Sequence, residues 1–186
     1  MIDPAATQRF TRDLAGLLPN PTGRIGLAIS GGPDSLALLL LAKASLPDIV
    51  AATVDHGLRP EAAGEAGMVA AFCASRKIPH DTLRWSGWDG KGNLQAAARE
   101  ARRDLLAGWA VSKGLKAVLV GHTADDQAET LLLRLLRGAG GAGLAAMSPG
   151  PTKPILALRR TETHELCTLL DLTVAHDPTN TDRRFR

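Results

Sequence analysis

Ile25-Gly26-Leu27-Ala28-Ile29 runs straight into Ser30-Gly31-Gly32-Pro33-Asp34-Ser35, and this stretch decides the fold. A short apolar run that ends in a turn signal reads as a buried strand. The two glycines let backbone N–H groups approach an anion closely, and the N-terminus of a following helix adds partial positive charge. The hydroxyls of Ser30 and Ser35 can donate to phosphate oxygens. Asp34 is an acid where phosphate would sit, which makes sense if a Mg2+ lies between them. No GK[ST] follows, so the loop is not a Walker A motif and gives no reason to expect γ-phosphate transfer. An ordinary Gly-Pro turn explains six such residues about as well; the strand–loop–helix setting favours phosphate.

Working outward, residues 36–46 read as a helix stopped before Pro47. Residues 49–54 form a second strand, followed by a polar turn at 55–59. Pro60 and Glu61 open a helix to about Lys77, with proline where a missing N–H costs nothing. Residues 80–85 are a weaker third strand, and Asn93 caps a helix to about Ser112. Residues 117–120 are a fourth strand and 124–136 a leucine-dense helix. Four glycines in residues 138–143 exclude regular helix there. A short apolar piece at 154–158, a helix over about 162–170 and an irregular polar end complete the chain. Strands alternating with crossover helices predict an α/β fold, a doubly wound parallel sheet with helices on both faces. Ligands in such sheets bind outside the carboxyl ends of the strands. The unusual residues at 30–35, 55–59 and 121–126 all fall at those ends.

Composition is compatible with this. With 45% hydrophobic and 22% charged residues, one globular domain over residues 1–186 is expected. No apolar run reaches the roughly 18 residues of a membrane span. Residues 1–11 hold Asp3 and Arg9 and no apolar core, so no signal peptide is read, and a cytoplasmic location is expected. Cys73 and Cys167 stand apart from each other and from any histidine cluster, so both read as small buried residues. A net charge of +3 permits a polyanionic partner without requiring one. Arg159, Arg160, Arg183, Arg184 and Arg186 gather toward the C-terminus, where charge alone favours a solvated tail over a nucleic-acid contact.

Ser30 to Ser35 (SGGPDS) resembles the SGGxDS signature of the N-type ATP pyrophosphatases, which cleave ATP between the α and β phosphates. Three further stretches resemble the tRNA(Ile)-lysidine synthetases within that superfamily: Val54-Asp55-His56-Gly57-Leu58-Arg59, the run from Gly121-His122-Thr123 through Asp125-Asp126-Gln127-Ala128-Glu129-Thr130, and the helix from Asn93 with Arg99 and Arg102. Arg137-Gly138-Ala139-Gly140 with Gly143-Leu144 is similar to their RGSGxxGL loop, with Ala139 where serine is usual. The resemblance spans roughly residues 20–182.

The resemblance implies an ATP- and Mg2+-dependent ligase that joins L-lysine to the wobble cytidine of a tRNA(Ile) with a CAU anticodon. It places Ser30, Gly31, Gly32, Pro33, Asp34, Ser35, Asp55, His56 and His122 at the ATP, with Asp55 near adenine and ribose. It gives Mg2+ to Asp34 and Asp125, and makes Asp34, Arg102, Asp125 and Asp126 catalytic, Asp126 as base for the lysine amine. Arg59, Arg99 and Arg137 become candidate phosphate or tRNA contacts. Without it, two acids opening a helix are simply a good N-terminus, and Arg99 and Arg103 a solvated basic face beside Glu100 and Asp104. The family continues past a D-P-[ST]-N-x-D segment, here Asp177 to Asp182, into an Arg-Asn-x-x-Arg run. The chain stops at Arg186, so a catalytic domain cut short at its C-terminus is expected. Scarce aromatics (3%) and the missing part predict intact ATP binding but weak tRNA affinity. Two other readings compete. One is another ATP pyrophosphatase that adenylates a different nucleoside or a small-molecule acceptor; its thiolating members often carry paired cysteines, which the isolated Cys73 and Cys167 argue against. The other is a non-enzymatic nucleotide-binding module, which would not need Asp34, Asp125, Asp126 and Arg102 on one rim.

Overall fold

The computed structural model describes residues 3–19, 22–58, 61–86, 88, 92–136, 138 and 153–170. Four strands, β1 (Ile25–Ala28), β2 (Ile49–Asp55), β3 (His80–Arg84) and β4 (Ala117–Val120), form one sheet in the order β3-β2-β1-β4. All pairings are parallel, with Ile25 of β1 level with Ile49 on one side and Ala117 on the other. Six helices accompany them among the described residues: α1 (Pro4–Leu17), α2 (Pro33–Ser45), α3 (Glu61–Ser75), α4 (Leu94–Ser112), α5 (Ala124–Leu136) and α6 (Arg160–Leu169).

The strand alternation sorts the core into two layers, as the expected α/β architecture requires. Ile25, Leu27, Ile29, Ile49, Ala51 and Leu119 face one side, where α1, α2, α3 and α6 cover them. Ala28, Val50 and Ala52 face the other, against Leu106 and Trp109 of α4. Gly26 belongs to this second face and must be glycine. A Cβ there would lie 2.6 Å from Leu115 Cδ1 and 2.7 Å from Trp109 Cζ3. The Trp109 indole N–H donates to Asp81 Oδ2 at 2.8 Å, and Lys113 pairs with the same carboxylate at 2.9 Å. These bonds hold Asp81 below the usual carboxylate range and fasten α4 to the sheet edge.

α2 is apolar all round because it is covered all round, by the sheet beneath and by α1 and α6 above. Leu38, Leu39 and Leu41 are fully buried, each stabilising the fold by about 1.5–3 kcal/mol of transfer free energy. The helix starts at Pro33, three residues before the sequence expectation, because proline suits the first helical position.

α1 was not anticipated. Its signals are local: Asp3 accepts the Ala5 N–H at 3.0 Å, and Phe10 and Leu14, one turn apart, bury against the core. Arg9 then reaches α6, pairing with Glu162 at 2.7 Å and donating to the Ala157 carbonyl. The expected apolar piece at 154–158 is a buried turn carrying Pro154, Ile155 and Leu158. Asn93 caps α4 as expected, accepting the Ala96 N–H. Cys73 and Cys167 are both buried free thiols, pushed up to about 11 by burial. No helix among the described residues is long and apolar enough to cross a membrane.

Candidate active site

The loop after β1 turns at Gly31, whose φ of +86° lies in the left-handed region where glycine costs nothing. Ser30 donates its N–H and hydroxyl to Ser35 Oγ, and Ser35 in turn donates to the Gly32 carbonyl at 2.8 Å. The loop is thus braced by its own serines. Gly32 supplies no capping side chain to α2, so the first-turn N–H groups of Asp34 and Ser35 are left to an outside acceptor, which suits phosphate.

Gly121, just past β4, sets the next wall against this loop. A Cβ on Gly121 would lie 3.0 Å from the carbonyl carbon and oxygen of Asp34 and from Ser35 Cα. These are backbone atoms at a helix start and cannot swing aside. Gly121→Ala is expected to cost about 1–3 kcal/mol, read in a denaturant melt, and to weaken nucleotide binding because the two rims move apart.

That close approach delivers the start of α5. Asp126 Oδ2 accepts the Thr123 N–H at 2.7 Å and its hydroxyl at 3.0 Å, half of a capping box around a fully buried threonine. Asp126 lies near enough to Asp34 for its charge to act on that carboxyl. α6 closes the site from above. The Arg160 N–H donates to Asp125 Oδ2 at 2.7 Å, its Nη2 meets Asp126 Oδ1 at 2.9 Å, and its Nε lies 3.7 Å from Asp34 Oδ2. The Thr163 hydroxyl, fully buried, contacts Asp34 Oδ1, and the Cys167 thiol donates to the Pro33 carbonyl at 3.4 Å. Burial, with Asp126 close by, holds the Asp34 carboxyl above its ordinary value, against the lowering effects of Thr163 and Arg160.

Metal capacity follows from this donor set. No group of three or more His, Cys, Asp or Glu side chains converges among the described residues. Two carboxylates bracketing one cation still suit Mg2+, which takes one or two carboxylates and completes its shell with phosphate and water. The structure brings Asp126 to Asp34, whereas the sequence reading paired Asp34 with Asp125. Asp125, exposed, is spent on the first N–H of α6.

On the opposite rim stands Arg102. Its charge is set against burial, and no carboxylate lies within ion-pair distance of it among the described residues. Burial is the main cause that holds the imidazoles of His56 and His122 below their ordinary value; the Arg102 charge acts in the same direction on both, against Asp55 at His56 and Asp126 at His122. The Nδ1 atoms of His56 and His122 are buried and lack a hydrogen-bond partner among the described residues. His56 also meets Trp85 edge-on, with ring centroids 6.0 Å apart.

Burial lowers the imidazole of His80 as well as those of His56 and His122. A histidine lowered in the folded state adds stability above its unfolded value, about 6.5, and loses it as pH falls. Stability is therefore expected to be flat above about pH 7 and to decline steadily below about pH 6.5. Denaturant melts between pH 5 and 8 without nucleotide check this; a constant free energy across that range would refute it.

The other sequence candidates separate. Asp55 ends β2 and accepts the Gly57 N–H at 2.9 Å, so it shapes its own turn beside His56. Arg103 pairs with Glu100 and Asp104 of its own helix, the solvated reading, and Arg99 is exposed. Arg59 and Arg137 lie outside the described residues, as do Asp177 to Asp182. Arg160 is the main correction. Grouped by sequence with a solvated C-terminal tail, it sits instead among the site's acids. Thr163, and Lys153, whose charge acts on His122, were also not picked out. No local motif marks any of the three; only the return of 153–163 over α2 brings them in.

The family model described as the PP-loop domain matches residues 6–186. A protein named tRNA(Ile)-lysidine synthase from Ruegeria pomeroyi is 46% identical over 176 residues, covering 89% of this chain and 42% of that protein. One of the same name from Novosphingobium aromaticivorans is 47% identical over 191 residues, covering 97% and 58%. The chain thus spans about half the length of the curated relatives it matches. Among solved structures, the U34-tRNA thiolase NcsA from Methanococcus maripaludis superposes with a TM-score of 0.76 at 18% identity, covering 94% of this chain and 67% of that one. NMN synthetase from Francisella tularensis gives 0.66 at 17% identity, covering 93% and 73%. At those identities the likeness is one of fold.

Proposed function

The chain belongs to the PP-loop domain family, which uses ATP, and from that premise we propose that it carries the catalytic site of a tRNA(Ile)-lysidine synthase. The observation that carries the proposal is Arg102, a cation set against burial with no acid beside it, facing two histidines with unpartnered nitrogens across from a phosphate-type loop. A protein tolerates such a charge where an anion completes it. The names of the relatives supply the acceptor.

The loop at residues 30–35 holds the β and γ phosphates of ATP on the free N–H groups of α2. Arg102 and His122 face the α phosphate. The C2 oxygen of the wobble cytidine attacks that phosphorus, the bond to the β-phosphate oxygen breaks, and pyrophosphate leaves. C2 of the resulting AMP ester is electrophilic. The lysine ε-amine adds there, loses a proton and expels AMP. Asp126 is the residue we assign to take that proton. Asp34 and Asp126 would hold Mg2+, which neutralises phosphate charge. Arg102 stabilises the charge that builds on phosphorus. Acting on tRNA, the protein works in the cytoplasm.

The test is transfer of labelled lysine to unmodified tRNA(Ile) with a CAU anticodon in the presence of Mg-ATP, with elongator tRNA(Met), which shares that anticodon, as control. ATP-dependent labelling of the isoleucine tRNA alone is the expected result. AMP and pyrophosphate without labelling would keep the ATP chemistry and discard the acceptor. Neither product would discard the reading.

A further inference from the structure

One residue engages every acid to which the site's chemistry is assigned. Arg160 bridges Asp126 at 2.9 Å and Asp34 at 3.7 Å through its guanidinium, while its backbone N–H holds Asp125 at 2.7 Å. Both oxygens of Asp126 are engaged, Oδ2 by Thr123 and Oδ1 by Arg160. A divalent cation between Asp34 and Asp126 is not compatible with the guanidinium staying where it is.

The two ends of Arg160 are held differently. Its backbone begins α6, fixed to Asp125 and flanked by Glu162, which Arg9 clamps. Its side chain is 45% exposed, whereas those of Asp34 and Asp126 are 20% and 24% exposed. The acids are set in the wall and the cation is free to leave toward solvent. An ion pair with one half-exposed partner is weak enough to exchange. The planar fork of arginine can span two carboxylates, which a lysine ammonium on its flexible stem does less well.

We infer that Arg160 is a positioning residue that occupies the cation position between Asp34 and Asp126 in the nucleotide-free site and is displaced when the divalent ion arrives with ATP. It keeps two acids close together while the site is empty. The inference rests on the proposed reading of this site as a Mg-ATP site.

The test is Mn2+ binding, followed by the loss of free-ion paramagnetic resonance signal, in nucleotide-free protein. Wild type, Arg160→Gln and Arg160→Lys are compared, with Asp34→Asn as the control that removes the site. With its competitor gone, Arg160→Gln is expected to bind Mn2+ about fivefold more tightly than wild type. Arg160→Lys should fall between the two, because it restores the charge without the fork. A residue with a merely structural role would not tighten metal binding when removed. Circular dichroism melts establish that each variant is folded. If Arg160→Gln does not fold, Arg160→Lys carries the test alone: tighter binding than wild type supports the inference, and equal or weaker binding overturns it. If Arg160→Gln folds and gains nothing while wild type takes up Mn2+ with ATP, the inference falls and the site reading stands. If wild type takes up no Mn2+ even with ATP, the site reading itself falls.

Discussion

Arg102→Met is expected to slow ATP-dependent release of AMP by about 10²- to 10³-fold, the usual cost of one preorganised transition-state partner. Over the same comparison the thermal midpoint should hold or rise. Both effects follow from one arrangement. The guanidinium is set against burial with no acid to neutralise it, so the ligand-free fold bears its desolvation. Methionine fills a similar volume along the same stem without that cost. The measurement pairs a single-turnover assay with a melt of the ligand-free protein. A variant that loses both rate and stability would show Arg102 to be a structural residue and remove the main support for the proposed chemistry.

Asp34→Asn carries the second large effect. Rate at fixed Mg2+ is expected to fall by about 10²-fold or more, because the amide keeps the shape and loses the charge proposed to hold the ion. Stability should go the other way. Burial raises the Asp34 carboxyl in the folded protein. An acid raised in this way contributes stability below its unfolded value, about 3.9, and loses it as pH rises through the folded value. At neutral pH the ionised carboxylate is thus a net cost, and an amide avoids it while still accepting from Thr163. Without nucleotide, Asp34→Asn is expected to melt at or above wild type at pH 7.5, with the difference shrinking as pH approaches 4. A variant that melts well below wild type at pH 7.5 would mean that the contact with Arg160 outweighs burial.

The elements with strong local signals were legible in the chain. β4 and α5 occupy the residues that their apolar run and leucine spacing predict, and the Asn93 cap sits where a polar residue precedes a helical pattern. The phosphate-type loop was legible because strand, glycines and proline follow one another without interruption. α1 was hidden because two apolar positions one turn apart are a weak signal at a chain terminus. Arg99 and Arg103 of α4 read as a solvated basic face, and Arg103 does pair with acids on its own helix, whereas packing sets the neighbouring Arg102 against burial. Arg160 and Thr163 could not be placed from sequence at all. Their partners Asp126 and Asp34 lie 34 and 129 residues away, and no local pattern encodes a contact at that separation.

The strand order has a consequence for a chain made from its N-terminus. β3 adds outside β2 and β4 inserts beside β1, so the centre of the finished sheet is for a time its margin. From the emergence of β2 until residues 117–120 leave the ribosome, β1 shows a bare ladder of N–H and C=O groups. The phosphate loop exists during that interval without the Gly121 wall that fixes it. The nascent chain thus passes through a stage of three strands in which β1 is an edge, the kind of species that chaperones shield. The strand that covers β1 is the same one that brings the acids of α5 to Asp34, so the inner place of β1 and the assembled acid cluster arrive together.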